Sequence, residues 1–377
     1  MRRPHRTWSQ RLLLTFNSLL VIVCLVAAGG LTWTYAQASD LPRIDLGRAL
    51  SEPVEQGEPQ NVLLVGIDNG DGLEDGDPVL FGRTSSLNTD TIMVLRVDPR
   101  TKEAAILSIP RDLYVPLAGG GQDRINAALA LGGPERLIET IRLNFDIPIN
   151  HYAMVDFAGF RSLVDAVGGV PIYFPWEARD QKTGLFQYDP GCVTLDADQA
   201  LAFARSRSFE IKVDGRWRTD PTGDFGRIDR QQLFITAALE KAVSRGVRNP
   251  FVLQDLIGVA QQNVTLDSEY TVSDIVSLGT QFRDFDPQSL ATYRVPGEPV
   301  WVGAASVVEL DATAAEPIFD IFRGAAPPEP ADPGAEPGTD PEPPAEPEAP
   351  GIGEPGTTTT TTSYSFLPEP PPGVSCG

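Results

Sequence analysis

The stretch DFAGFRSLVDAVGGVPIYF, residues 156–174, decides the fold class. Phe157, Phe160, Leu163, Val164 and Val167 recur at three- and four-residue spacing, which puts them on one face of a helix. Asp156 stands at the N-cap position, where its carboxylate can accept from the free N–H groups of the first turn. Gly168-Gly169 ends the helix, and Val170 to Phe174 then reads as a strand. A helix leading straight into a strand is the unit of a mixed α/β domain.

The flanking sequence extends this pattern. Residues 61–67, 91–97 and 104–109 are apolar runs that read as strands, the last two joined as a hairpin through Asp98-Pro99-Arg100-Thr101. Beyond the opening stretch, 196–204 and 227–244 read as helices. Thr271 with Asp274 resembles a capping box opening another helix, and Thr313 with Glu316 a second one, before a last helix reaching about Phe322. Residues 293–295 and 307–310 read as late strands. The predicted fold is α/β, a central mixed β-sheet covered by helices on both sides.

The ends of the chain read differently. Arg2, Arg3, Arg6 and Arg11 precede Leu12 to Tyr35, a run without a charged residue. Its length suits a bilayer, which needs about 20 apolar residues. The basic flank predicts a cytoplasmic segment 1–11, a single transmembrane helix over 12–35 and everything after it outside the cell. Ala36-Gln37-Ala38 also resembles a signal-peptidase site; either reading exports the body. Residues 36–59 read as a tether and 60–324 as the folded domain, with its core motifs in 61–244. Residues 325–377 are rich in Pro, Glu and Thr, with no Lys or Arg after Arg323, and read as a disordered acidic tail.

The net charge of −21 argues against nucleic acid as a partner. His5 and His151 are the only histidines, which excludes chemistry built on several His ligands. Cys24 lies in the apolar run. Cys192 and Cys376 either pair in an oxidising compartment or are two unrelated thiols.

Polar residues then gather in a few segments. Asp68 ends the first strand and Asp90 opens the second, so the two carboxylates could hold Mg²⁺, or Mn²⁺, through oxygen. Arg111 follows Pro110, which ends the third strand. Arg205 and Arg207 close one helix. Asp224 precedes the next, where Arg227, Arg230 and Gln231 share a face. Arginines at a helix start attract phosphate through charge and backbone N–H groups. Together these residues could neutralise a pyrophosphate, and phosphoryl transfer rests mainly on such positioning and electrostatics.

The ordered set VGID (65–68), TDT (89–91), SIPRD (108–112), RIN (124–126), the helix–strand unit 157–172, LDADQALAFARSR (195–207) and GDFGRIDRQQ (223–232) resembles the LytR-CpsA-Psr proteins. That resemblance implies a long apolar groove for a polyprenyl chain. It also implies transfer of an anionic glycopolymer from polyprenyl pyrophosphate to a muramic acid hydroxyl of peptidoglycan, leaving polyprenyl phosphate. It assigns Asp68 and Asp90 to Mg²⁺ and Arg111, Arg205 and Arg207 to the pyrophosphate. Asp224, Arg227 and Gln231 match a second cluster, with Asp224 as a proton acceptor. The same residues would serve a hydrolase of the lipid-linked polymer, or a non-catalytic lipid-phosphate carrier at the cell surface. Two departures stand out: an acidic insertion over 71–77, and a basic stretch from Lys212 to Arg218 that could reach a larger acceptor or polymer.

Overall fold

The computed structural model describes residues 42–68, 89–244, 258–259, 264–328 and, near the C-terminus, 366–368, 370–371, 374 and 376. In chain order the elements begin β1 (Arg43–Ile44), β2 (Gln60–Ile67), β3 (Thr89–Asp98), β4 (Glu103–Ser108), β5 (Tyr114–Pro116), β6 (Gln122–Arg124), α1 (Ala127–Phe145) and β7 (His151–Val155). There follow α2 (Phe157–Val167), β8 (Val170–Phe174), β9 (Glu177–Asp180), β10 (Leu185–Gln187), β11 (Gly191–Leu195), α3 (Ala197–Arg205), β12 (Glu210–Val213), β13 (Arg216–Thr219) and α4 (Asp224–Ser244). The chain continues with β14 (Val264–Asp267), α5 (Val272–Gln281), β15 (Ala291–Arg294), β16 (Gly297–Val302), β17 (Ala305–Leu310) and α6 (Ala312–Arg323).

Among the described residues, seven strands form the central sheet in the order β1-β14-β7-β2-β3-β4-β15. It is mixed: β2 runs antiparallel to β3 and parallel to β7, and β3–β4 is the expected hairpin. Alternation sorts its side chains to two faces. Leu63, Val65, Ile92 and Val94 pack into one core with Leu137, Ile141 and Phe145 of α1 and Phe319 and Phe322 of α6. Met93, Val97 and Ile106 face the other way, toward Ile235 and Leu239 of α4 and Leu278 of α5. Helices thus cover both sides.

The opening stretch folds as read. Asp156 accepts from Gly159 N at 2.7 Å, and α2 ends at Gly168 in the left-handed conformation. Its strand β8, however, pairs with β11 in a separate two-stranded sheet, outside the central one. With α2, α3, α4 and the sheet β10-β9-β12-β13 it encloses a second core around Phe174, Phe203, Phe209 and Phe234.

Three local expectations change. Helix α4 begins at Asp224 instead of Arg227, because Phe225 N and Arg227 N already donate to Thr222 O and Gly223 O. Helix α6 is capped by Asp311, whose carboxylate accepts from Thr313 N and Ala314 N. The proposed partner of Thr313, Glu316, turns instead to Arg323 at 2.7 Å. Cys192 and Cys376 are joined in a disulfide, and Phe366 packs against the second core, so the far end of the tail is fastened to the domain.

Among the described residues no helix is long and apolar enough to cross a membrane. The span expected over 12–35, the acidic insertion 71–77 and most of the tail lie outside the described residues.

Candidate functional site

The site is built where β2, β3 and β4 end. The β2–β3 register runs Gly66 to Thr91 and then Ile67 to Thr89, so Asp90 is the extra residue of a β-bulge. A bulge bends its strand and re-aims a side chain. Asp68 follows β2 at the same end of the sheet. A Cβ on Gly66 would sit 3.1 Å from Thr91 Cβ, so the glycine gives Thr91 room across the pair.

Around Asp90 the arginines close in. Arg111 Nη1 donates to Asp90 Oδ1 at 2.6 Å, and Arg207 Nη2 donates to the same oxygen at 3.0 Å. Arg227 donates to the Asp90 carbonyl at 2.6 Å. Asp224, the first residue of α4, holds Arg227 in a two-point grip of 2.9 and 3.0 Å and lies 3.0 Å from Arg207 Nε. Arg111 is also 3.4 Å from Asp112, which in turn lies 3.5 Å from Arg124 of the RIN segment. Segments far apart in the chain therefore meet in one ring.

Burial would raise the Asp90 and Asp224 carboxyls, but the neighbouring guanidiniums outweigh it and hold both below the usual range. Arg207 is pulled the other way. Burial and the nearby charges of Arg227 and Arg111 press its pKa down against the help of Asp90 and Asp224. Its positive charge is thus incompletely compensated, and an anion would relieve it. The Nε–H groups of Arg111 and Arg207 are buried without a hydrogen-bond acceptor; the Arg207 group is close to Asp224 but not aligned with it. Unmet buried donors of this kind call for an acceptor.

Behind the ring lies an apolar cavity of about 370 Å³. Leu64 and Met93 of the sheet, Phe157, Phe160 and Leu163 of α2, and Phe234 of α4 line it. Asp90, Arg205, Arg227 and Gln231 border the same cavity. Arg205 packs its guanidinium over Phe157 at 4.7 Å, and Gln231 donates to Thr91 Oγ1 and Ala204 O. An apolar hollow with an arginine-rich border suits an amphiphile with an anionic head.

Arg230 is placed elsewhere. It is 1 % exposed, donates to Asp220 Oδ2 at 2.6 Å and to Ser206 O at 3.0 Å, and lies over Phe209. The expectation of Arg230 among the phosphate ligands gives way to a buried structural pair. Asp220 accepts in addition from Thr222 N, and a Cβ on Gly226 would collide with it. Motif reading passed over Asp220, although Asp two residues before Thr222 is a turn signal. It also gave Asp112, the last residue of SIPRD, no role of its own. Arg227 offers its side chain alone, since its backbone N–H is spent inside the helix.

Asp68, the first residue beyond β2, and Asp90, at the start of β3, stand at the same end of the sheet. Among the described residues no group of three or more His, Cys, Asp or Glu forms a metal cluster.

Comparison with known proteins points to one family. The model of the LytR_cpsA_psr family matches residues 34–323. The polyisoprenyl-teichoic acid–peptidoglycan teichoic acid transferase TagU of Oceanobacillus iheyensis is 34% identical over 60% of this chain and 69% of its own. The enzyme of that name from Enterococcus faecalis is 31% identical over 71% of this chain and 82% of its own. A solved LytR-Csp2A-Psr enzyme from Actinomyces oris superposes with a TM-score of 0.59 at 25% identity, covering 75% of this chain and 95% of that one.

Proposed function

Because the chain belongs to the LytR_cpsA_psr family, we propose that it transfers an anionic glycopolymer from a polyprenyl-pyrophosphate carrier to peptidoglycan, making a phosphodiester link. The observation that carries this reading is the apolar cavity bordered by the arginine ring around Asp90. The prenyl chain enters the cavity, and its pyrophosphate meets Arg111, Arg205, Arg207 and Arg227.

The acceptor hydroxyl oxygen bonds to the polymer-side phosphorus. The bond from that phosphorus to the bridging oxygen breaks, the hydroxyl proton passes by way of Asp224 to solvent, and polyprenyl phosphate departs with the bridging oxygen. The arginines stabilise the charge on the transferred phosphoryl group and on the leaving phosphate. Asp224 is a weak proton acceptor at its lowered pKa, and its larger contribution is to hold Arg207 and Arg227 in place.

The family implies a Mg²⁺ ion, with Mn²⁺ as a substitute, and the residues fit one. Asp68 and Asp90 share a sheet end, and Mg²⁺ commonly takes one or two carboxylates, substrate phosphates and waters. Both arginines on Asp90 use Oδ1. Arg111, Arg124, Arg205, Arg207 and Arg227 stand with Asp68, Asp90, Asp112 and Asp224, a formal excess of one positive charge, and a divalent ion would supply the further charge that a pyrophosphate needs. In this reading the domain lies outside the membrane, anchored by residues 12–35, and the Cys192–Cys376 disulfide supports that reading because such a bond persists in an oxidising compartment.

Product analysis with a synthetic polyprenyl-pyrophosphate glycan tests the reading, with and without peptidoglycan oligomers and Mg²⁺. Attachment that needs both supports the transferase. Release of free polymer regardless of acceptor would make the protein a hydrolase.

A further inference from the structure

The chain between the two arginine motifs does more than connect them. It forms β12 and β13, which join β9 and β10 in the order β10-β9-β12-β13. Strand β12 starts three residues beyond Arg207, within about 10 Å of it along the chain. Asp180, at the end of β9, is fully buried and accepts from Ser206 Oγ at 2.7 Å and Ser208 N at 2.9 Å. Asp220, just after β13, grips Arg230, which reaches back to Ser206 O. The small sheet is therefore clamped to the arginine segment at both ends.

Its two faces differ. Ala178, Leu185, Ile211 and Val213 point into the second core. On the outward face Phe186 stands opposite Arg179, Arg179 opposite Glu210, and Lys212 between Glu177 and Trp217. Phe186 and Tyr188 are 44% and 57% exposed respectively, and Phe186 stacks on Tyr188 with ring centroids 6.1 Å apart. The Arg179 guanidinium lies 4.0 Å over the Trp217 ring. Tyr188, Phe186, Arg179 and Trp217 thus run across the sheet, roughly 14 Å from β10 to β13 at the usual strand spacing. The cations on this face are already matched, Arg179 by Glu210 at 2.6 Å and Lys212 by Glu177 at 2.9 Å.

We propose that this outward face is the docking platform for the peptidoglycan acceptor, holding a glycan strand so that its hydroxyl reaches the arginine ring. The inference rests on the transferase reading above. Exposed rings stack on the C–H faces of sugars, and paired polar groups offer hydrogen bonds to hydroxyl and acetamido groups. A face whose cations are neutralised suits a sugar backbone better than a polyphosphate. The donor's place is already taken by the cavity, and chain continuity puts the platform beside Arg207 and Asp224.

The test uses the full chain in detergent and peptide-free strands of alternating N-acetylglucosamine and N-acetylmuramic acid. Wild type binds the strands. The double variant Phe186→Ala, Tyr188→Ala and the single Trp217→Ala raise Kd at least about tenfold, while polyprenyl-phosphate binding stays within about twofold. In transfer, the acceptor KM rises and kcat holds. Trp217→Phe keeps a ring and recovers binding, which separates loss of the platform from loss of the fold. Trp301→Ala, 74% exposed on the β16–β17 hairpin, binds as wild type. Equal strand binding by wild type and platform variants overturns the proposal, as does no binding by wild type. So does a platform that binds soluble poly(glycerol phosphate) in place of the strands. Failure of wild type to bind polyprenyl phosphate counts instead against the transferase reading itself.

Discussion

At the scale of single residues, the site works by crowding charge. Asp90 and Asp224 are held below the ordinary carboxylate range by Arg111, Arg207 and Arg227 despite their burial. A depressed carboxylate contributes stability that is fully present above its unfolded pKa of about 3.9 and is lost as pH falls through the lower folded value. Transfer activity and melting temperature are therefore expected to hold from neutral pH down to about 5 and to fall only below about 4. A pH–rate profile checks this; an inflection near pH 6 to 7 would point to another base. Asp90, Arg111, Arg207, Asp224 and Arg227 could be picked out from the motifs, because each is an Asp or Arg near the end of a predicted element; Asp112 and Arg124, which extend the ring, could not. Arg230 could not be sorted correctly that way. Its i, i+3 spacing from Arg227 fits a shared helix face, but a partner four residues before the helix, Asp220, draws it inward.

At the scale of elements, the Arg230–Asp220 pair fastens α4 to the arginine segment. Arg230→Met leaves Asp220 buried and unpaired, which costs about 3–5 kcal/mol in chemical denaturation. The surviving folded protein should still bind lipid phosphate, whereas loss of binding at full stability would return Arg230 to the site. The elements that could be read in advance were those with clean periodicity and caps, such as α2 and the β3–β4 hairpin. Helix α1 was missed because Gly132-Gly133-Pro134 reads as a turn; the chain does kink there, but the helix resumes through Leu137, Ile138 and Ile141. The cap of α6 was misplaced because Thr313 with Glu316 and Asp311 with its own turn are both good signals, and only the geometry decides between them. The sheet β10-β9-β12-β13 escaped because its strands are three or four residues long, too short for alternation to register.

At the scale of the whole molecule, the central sheet and the second core are separate packings that share α4, and the cavity lies where they meet. Its lining could not be assigned beforehand, since it draws single residues from strands and helices far apart in the chain. The C-terminal tether was equally hidden. The composition of 325–377 measures its capacity to build a core, while one cysteine and one phenylalanine suffice to fasten its end. Cys192→Ser is expected to lower stability by about 2–5 kcal/mol, read as a lower melting temperature that reductant mimics in wild type. An unchanged melting temperature would mean that the tether does not constrain the domain.

The most direct test of the central claim, that the arginine ring handles the pyrophosphate, is the specificity constant for transfer from a polyprenyl-pyrophosphate glycan in wild type and Arg207→Ala. Arg207 is 35% exposed, so its loss leaves the fold intact, yet it bridges Asp90 and Asp224. A fall in kcat/KM of about 10²–10³-fold, with unfolding unchanged, is the predicted result. A rate within a few-fold of wild type would contradict the account and move the chemistry away from Asp90.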